Sequence, residues 1–196
     1  EAAMTEGNIL LVNSTTFLGG LSSLWFLGSR MDRLGSKPIL AFSLMGWLVI
    51  VTGWALLAGA LFSPLLQVIL LLQFLMGLGA ALVNMANTRL AMAIVPVMGR
   101  NHFFALFSVV SNLSLGIAPI LWGLLIDAFG SLQVRWAGFE WNRFSVFFFC
   151  VGFFFLLTLA LCRKLEEPQA ASMEELLREL LIQSPQRVWL RLWPRS

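Results

Sequence analysis

The chain has 196 residues, of which 59% are hydrophobic and 12% are charged, whereas a soluble domain has about a quarter of its residues charged. This composition, with a mean hydropathy of +0.84, excludes an ordinary water-soluble globule and indicates a chain surrounded by lipid. The net charge of +3 does not indicate a nucleic-acid partner, because the basic residues cluster at the ends of apolar runs, where membrane topology accounts for them.

Five apolar runs are each long enough to cross the hydrocarbon core of a bilayer, which takes about 20 residues of helix. They cover residues 8–27, 38–61, 65–95, 103–126 and 144–162. In lipid, backbone polar groups must be satisfied within their own segment, which favours helices. The sequence therefore predicts an all-α membrane protein, with a bundle of five transmembrane helices in residues 1–167 and a cytoplasmic tail in residues 168–196.

The first run carries polar side chains on one face. At the 100° step of a helix, one side presents Asn13, Thr16, Gly20 and Ser23. Polar groups inside lipid are costly and tend to face a bundle interior or a wet cavity. Asn13 and Thr16 are therefore candidate lining residues of a substrate cavity, and the alternative is that they hold helices together.

A short charged loop, GSRMDRLGSKP at residues 28–38, joins the first and second runs. A cytoplasmic location explains its lysine and arginines, but it does not explain Asp32 beside Arg33 or a glycine at both Gly28 and Gly35. Gly28 would let a helix end approach a neighbour, and Gly35 would tolerate a positive φ in a tight turn. The Asp32 carboxylate can accept hydrogen bonds from the free N–H groups of a helix N-terminus.

The third run combines two amides with a cation. Asn84 and Asn87 share a helix face with Gly77 and Ala80, and an amide has several donors and acceptors to satisfy, which favours a wet or liganded position. Arg89 lies seven residues before Pro96, about 10 Å of helix from that end. It either binds an anionic group or gates the path, or it reaches the headgroups or pairs between domains.

The fourth run has a polar patch followed by a glycine and proline pattern. The patch consists of Ser108, Ser111 and Asn112, one turn or more before Gly116 and Pro119. For all of these small polar residues the alternative to a cavity is helix packing, at about 0.6 kcal/mol per interhelical hydrogen bond. The second and fifth runs carry few polar side chains, and the only two cysteines, Cys150 and Cys162, both lie in the fifth. We therefore expect no disulfide framework, no metal and no cofactor.

The tail begins with a helix signal. Ser172 to Glu175 fits the capping box S-x-x-E, and apolar residues follow at helical spacing: Met173, Leu176, Leu177, Leu180 and Leu181. The final stretch mixes tryptophans with arginines, a combination that either lies on an anionic leaflet or is poorly ordered.

Two motifs carry a resemblance to a known family. The loop reads G-x-x-x-D-R-x-G-x-K, and residues 116–130 read GIAPILWGLLIDAFG, in which the pattern residues are Gly116, Pro119, Gly123, Asp127 and Gly130. Both resemble signatures of the major facilitator superfamily of secondary transporters, with Ser36 in place of one expected basic residue. The first signature lies between the second and third helices of a six-helix half, and the second closes the fifth.

The resemblance covers roughly residues 8–164 and implies helices eight to twelve of a twelve-helix fold. It also implies that the chain is a fragment that lacks the N-terminal half and one helix of its own half. The first, third and fourth runs would then line the cavity, while the second and fifth would support them. Basic residues in alternate connections place the N-terminus outside and the C-terminus in the cytoplasm, and we expect the plasma (inner) membrane.

The function that these expectations favour is transport of a small solute by alternating access, with the lipid bilayer and the missing N-terminal half as partners. The alternative is a non-transporting membrane receptor or scaffold of the same fold. An enzyme is not expected, because the sequence has no HExxH motif or pair of intramembrane aspartates. The resemblance implies a cytoplasmic latch formed by Gly28, Asp32, Arg33, Gly35 and Lys37.

Overall fold

The computed structural model of the protein describes residues 5–27, 34–61, 65–95, 100–164 and 173–178. The described chain contains five long helices, one β-hairpin and one short helix. In chain order they are α1 (Glu6–Leu27), α2 (Ser36–Ala58), α3 (Leu66–Ile94), α4 (Arg100–Ala128), β1 (Gln133–Trp136), β2 (Phe139–Asn142), α5 (Arg143–Arg163) and α6 (Met173–Arg178). The prediction of an all-α fold is confirmed, with the hairpin as the one addition in the described residues.

Each predicted run overlaps one long helix, and the helix ends differ by a few residues. Four helices of the described chain are long and apolar enough to cross a membrane, namely α2, α3, α4 and α5. The first helix falls outside this set, so the five-helix expectation meets that criterion for four helices only. α1 is also the long helix with two asparagines together with several serines, threonines and glycines.

The beginning of α2 follows from the residues around it. Gly35 precedes the helix with a φ of 82°, a conformation that glycine adopts without a steric penalty. Pro38 occupies the first turn, where the N–H that proline lacks would have no helical partner. The chain thus turns at Gly35 immediately before it enters α2.

Among the long helices, α1 and α3 form a close pair, and α2 connects this pair to α5. α1 packs along α3, and α2 packs against both α3 and α5. At the α1–α3 crossing the two backbones touch, since a Cβ atom at Gly77 would overlap the Thr16 carbonyl oxygen and one at Gly19 would overlap that of Phe74. Small residues at such crossings let helices approach closely in membranes.

Aromatic side chains join α2 to α5. Trp47 stacks on Phe155 with ring centroids 5.3 Å apart, and Trp54 stacks on Phe148 at 6.1 Å. α4 is attached less closely: its contact is mainly with α5, through Trp122 against Phe147, and within the described chain none of its residues is buried.

The buried core lies at the end of the bundle where α2 begins. It is one cluster drawn from α2, α3, α5, α6 and the residue before Gly35, and it comprises Leu34, Ile39, Leu40, Leu44, Leu82, Ala86, Cys162 and Leu176. Apolar side chains from four helices therefore meet at this end.

The sequence analysis did not predict the hairpin between α4 and α5. β1 and β2 pair antiparallel, with Gln133 opposite Asn142. The two turn residues, Ala137 and Gly138, have φ values of 52° and 82°, as in the two-residue turns that suit the twist of paired strands. Apolar and polar residues that alternate around an Ala-Gly pair were the available signal.

The hairpin is fixed to the end of α2. The Glu140 N–H donates to the Gly59 carbonyl at 3.0 Å, and the Phe139 ring lies against Gly59. The Asn142 side chain accepts from the N–H groups of Phe144 and Ser145 and so caps α5, while its Nδ2 donates to the Ala58 carbonyl at 2.6 Å. One asparagine thus starts α5 and ties it to α2.

Candidate functional site

The polar face predicted for α1 divides into a packed part and an exposed part. Thr16 Oγ1 donates to Gln73 Oε1 of α3 at 3.0 Å, and Ser23 is buried, with its hydroxyl donating to the Gly20 carbonyl at 2.7 Å. Asn13, one turn earlier than Thr16, is exposed. Thr16 therefore lies in the α1–α3 contact, and Asn13 lies on a surface that the described chain leaves uncovered.

The two amides of α3 lie on its uncovered side. Asn84 and Asn87 are exposed, as is Thr88 beside them. Leu82 and Ala86, which point the other way, are fully buried in the core. The helix thus separates an apolar packed face from an exposed face that carries amides.

The polar patch of α4 is exposed and internally bonded. Asn112 Nδ2 donates to the Ser108 carbonyl at 2.9 Å and to its hydroxyl oxygen at 3.2 Å. Ser111 is half-buried beside them. The NH2 group of Asn112 thus donates hydrogen bonds within its own helix. These bonds orient the side chain without a neighbouring helix.

Two of the three predicted cavity-lining helices are brought together. α1 and α3 form a close pair, but among the described residues neither of them packs extensively against α4. The exposed amides of α3 and the polar patch of α4 are therefore placed on open surfaces rather than in one enclosed site.

Arg89 differs from the amides in its surroundings. It is partly buried, and its Nη1 atom is shielded from solvent, whereas Asn84 is exposed. The predicted separation of about 140° around the helix, from the 100° step, agrees with this difference. Arg89 and the amides thus face different surroundings.

The structure describes the latch motif only in part. Gly28, Asp32 and Arg33 lie outside the described residues. Gly35 forms the turn before α2, and Lys37 Nζ donates to the Arg163 carbonyl at 3.2 Å, which joins the start of α2 to the end of α5.

The helix-end motif forms the turn that closes α4. The Gly130 N–H donates to the Asp127 carbonyl at 3.0 Å, and a Cβ at Gly130 would lie at 3.0 Å from the same oxygen. A Cβ added at Gly116 or Gly123 would have no atom of the described chain within 4 Å, and Pro119 is exposed. This face of α4 is therefore open to close approach by another helix.

Gln73 is a polar residue that the sequence analysis missed. It accepts from Thr16 and lines a cavity of about 290 Å³ between α2, α3 and α5, together with Trp47, Trp54 and Phe148. The available signal was a glutamine inside a long apolar run.

A comparison with known protein families identifies the family of the chain. The family model described as Major Facilitator Superfamily matches residues 2–194. The comparisons with curated proteins and with solved structures gave no match. Members of the matched family are transporters of small solutes in lipid bilayers and not enzymes, which agrees with the apolar helices and the loop motif. The chain is thus an integral membrane protein that belongs to the Major Facilitator Superfamily.

Proposed function

We propose that the chain takes part in moving a small solute across the membrane by alternating access. The observation that carries this proposal is the exposed pair Asn84 and Asn87 on a helix that is otherwise apolar enough to span the bilayer. Amides on such a helix are costly in lipid, and they tend to face a wet cavity or the interior of a bundle. A solute path supplies that environment.

The proposed path runs between two bundles. One wall consists of the exposed faces of α1, α3 and α4, which carry Asn13, Asn84, Asn87, Ser108, Ser111 and Asn112. The other wall comes from the N-terminal half of the same transporter, and α1 crosses the membrane beside α3 as the fifth spanning helix. Thr16 supports this wall through its bond to Gln73.

The packing supports a rocking motion of this half. Because α2 joins the α1–α3 pair to α5 through extensive contacts, these four helices move as one body, as transporter bundles do around a midplane site. The loop latch at residues 28–37 closes the cytoplasmic side in one state, the termini lie outside and in the cytoplasm respectively, and the protein resides in the plasma (inner) membrane.

Cysteine labelling of the full-length protein in membranes tests the path. In a cysteine-free background, Asn84→Cys is expected to react with a water-soluble maleimide, because the side chain faces the wet path. Val49→Cys is the matched control, since Val49 of α2 is 69% exposed in the described chain and would face lipid. The proposal fails if both positions are equally unreactive from either side of the membrane, and it gains support if added solute protects Asn84→Cys only.

A further inference from the structure

Two cavities share a wall where the hairpin meets α5. The first, of about 320 Å³, lies on the hairpin and has a mostly polar lining. The second, of about 340 Å³, follows α5 from Val146 to Phe154 and has an apolar lining. Trp141 lines both of them. A polar space and an apolar space thus meet at one side chain, two residues before α5 begins.

The apolar cavity, which we call the α5 groove, has the shape and chemistry of an acyl chain site. Trp141 stacks on Phe149 with ring centroids 5.2 Å apart, and the Phe153 side chain is 63% exposed. The groove follows eight residues of α5, about 12 Å of helix, whereas the hydrocarbon of one leaflet is about 15 Å deep. It is lined by Trp141, Val146, Phe149, Cys150, Phe153 and Phe154.

A neighbouring helix suits the α5 groove less well than an acyl chain. Helix interfaces in membranes are enriched in small residues, which let two backbones approach. The groove has four aromatic rings, and its lining in the described chain includes no glycine or alanine. Gly152 of α5 points to α2 instead, where an added Cβ would lie 3.7 Å from Val51 Cγ1. Because α5 is apolar enough to cross the membrane, lipid is the partner that the groove favours.

The polar cavity, which we call the hairpin cavity, offers a cation to a phosphate group. It is lined by Gln133, Val134, Arg135, Glu140, Trp141 and Asn142. Arg135 lies opposite Glu140 in the strand register, and their side chains form a loose pair at 3.9 Å. The Arg135 side chain is 72% exposed, and a guanidinium has five N–H donors, enough to bind a phosphate beside a carboxylate. The carboxylate opposes a second negative charge, so the pair favours a headgroup with a single one.

The position of Trp141 matches the boundary between headgroups and hydrocarbon. Tryptophan is enriched at this boundary, because its ring is apolar and its N–H is polar. The membrane-crossing helix α5 begins at Arg143, so the α5 groove lies on the hydrocarbon side of Trp141 and the hairpin cavity lies on the headgroup side. The two cavities therefore have the order of polar and apolar parts that a lipid has.

We propose that the junction of hairpin and α5 is a binding site for one phospholipid. Its phosphate lies in the hairpin cavity at Arg135, and one of its acyl chains lies in the α5 groove against Phe149 and Cys150. The bound lipid covers aromatic rings that the described chain leaves exposed, and it connects the hairpin to the helix that follows. The inference concerns lipid binding, and it does not depend on solute transport.

Lipid titration followed by native mass spectrometry tests the phosphate end of the site. The full-length protein is purified in detergent, and dioleoyl phosphatidylglycerol, whose phosphate carries its one negative charge, is the probe. Arg135→Gln is expected to lower the apparent affinity about fivefold, the effect of one arginine at an anionic membrane surface. Lys164→Gln is the matched control, because Lys164 is an exposed cation at the opposite end of α5, and it is expected to leave the affinity unchanged.

The acyl chain end is tested by filling the groove. Cys150→Phe places a ring in the α5 groove and is expected to lower the apparent affinity about tenfold, the effect of displacing two buried methylene groups. Thr158→Phe is the matched control, because Thr158 is exposed on α5 outside the groove. Thermal unfolding without added lipid shows whether each variant folds, and the exposed Arg135→Gln keeps the proposal testable if Cys150→Phe does not.

Dioleoylglycerol, which has the same chains and no phosphate, separates the two ends. It is expected to bind the parent more weakly than the phospholipid and to lose affinity in Cys150→Phe but not in Arg135→Gln. Equal affinities of Arg135→Gln and Lys164→Gln for the phospholipid would overturn the site, and so would equal affinities of Cys150→Phe and Thr158→Phe. Dioleoylglycerol that binds the parent as tightly as the phospholipid would also overturn it, because the phosphate would then contribute nothing.

Discussion

At Gly77 the backbone of α3 lies directly against that of α1. The Thr16 carbonyl occupies the space that a Cβ would need, and Thr16 also bonds to Gln73 one turn away. Close backbone approach and an interhelical hydrogen bond thus coincide at one crossing. In membranes, where lipid tails are as apolar as leucine, such packing is what holds helices together.

Replacement of Gly77 by alanine is therefore expected to destabilise the protein. The added methyl group forces the two backbones apart, and overpacking of this kind costs about 1–3 kcal/mol. Thermal unfolding of the purified full-length protein in detergent measures the effect. Gly46→Ala in α2 is the matched control, because a Cβ there meets no atom of the described chain within 4 Å and alanine in a helix interior is favoured over glycine by about 0.5–1 kcal/mol. Equal melting temperatures for the two variants would contradict the close crossing.

The same crossing explains why the sequence could not predict which polar residues of α1 are packed and which are exposed. Asn13 and Thr16 fall on one side of α1 at the helical step, yet Thr16 is packed and Asn13 is exposed. Periodicity gives the direction of a side chain around its own helix, whereas cover depends on where a neighbouring helix crosses. That crossing is decided by Gly19 and Gly77 on two helices that are far apart in the sequence.

Among the elements, the long helices were the most predictable. Their length is constrained by bilayer thickness, so apolar runs of about 20 residues give each helix to within a few residues. The hairpin was missed because its strands have four residues each, too few for a clear alternation. The docking of α6 was missed for a different reason, since its amphipathic pattern predicts a buried face but does not say whether protein or lipid covers it.

Asn142 caps α5 and also donates a hydrogen bond to the end of α2. Substitutions at this position can separate the contributions of these two interactions to stability. Asn142→Ser keeps a side-chain oxygen that can cap α5 but does not reach the Ala58 carbonyl, while Asn142→Ala loses both interactions. We expect Asn142→Ala to be less stable than Asn142→Ser by about 0.5–2 kcal/mol, the usual contribution of an N-cap. Thermal unfolding of the two variants beside the parent measures this difference. If serine and alanine were equally damaging, the bond from Asn142 to α2 would account for the whole effect and the cap would contribute nothing.

For the whole molecule, the described helices differ in how firmly they are held. α2 contacts α3 and α5 extensively and contributes more residues to the core than any other helix, whereas α4 rests on α5 and buries no residue within the described chain. The glycine face of α4 and the exposed amides of α3 are surfaces that the described helices leave uncovered. Gly35 and Lys37 of the loop motif lie at the start of α2, the most firmly packed helix of the described chain, so a displacement of this segment would reach the body of the bundle directly.

This connection leads to a prediction for the charged loop, in which Asp32 lies outside the described residues. If the proposed latch holds Asp32 by one charge-assisted hydrogen bond, Asp32→Asn in the full-length protein is expected to weaken it by about 1.5–3 kcal/mol and to reduce solute uptake at least about tenfold. Membrane insertion should be unchanged, since the substitution removes a charge from a connection and none from a spanning helix. Uptake is measured in vesicles with a solute found by a thermal-stabilisation screen of the whole protein.

Glu140→Gln is the control, because Glu140 forms only a 3.9 Å pair with Arg135 on the hairpin surface, where such pairs contribute little. Uptake that Asp32→Asn leaves unchanged would contradict the latch, while a similar loss in Glu140→Gln would show that any missing carboxylate impairs the protein.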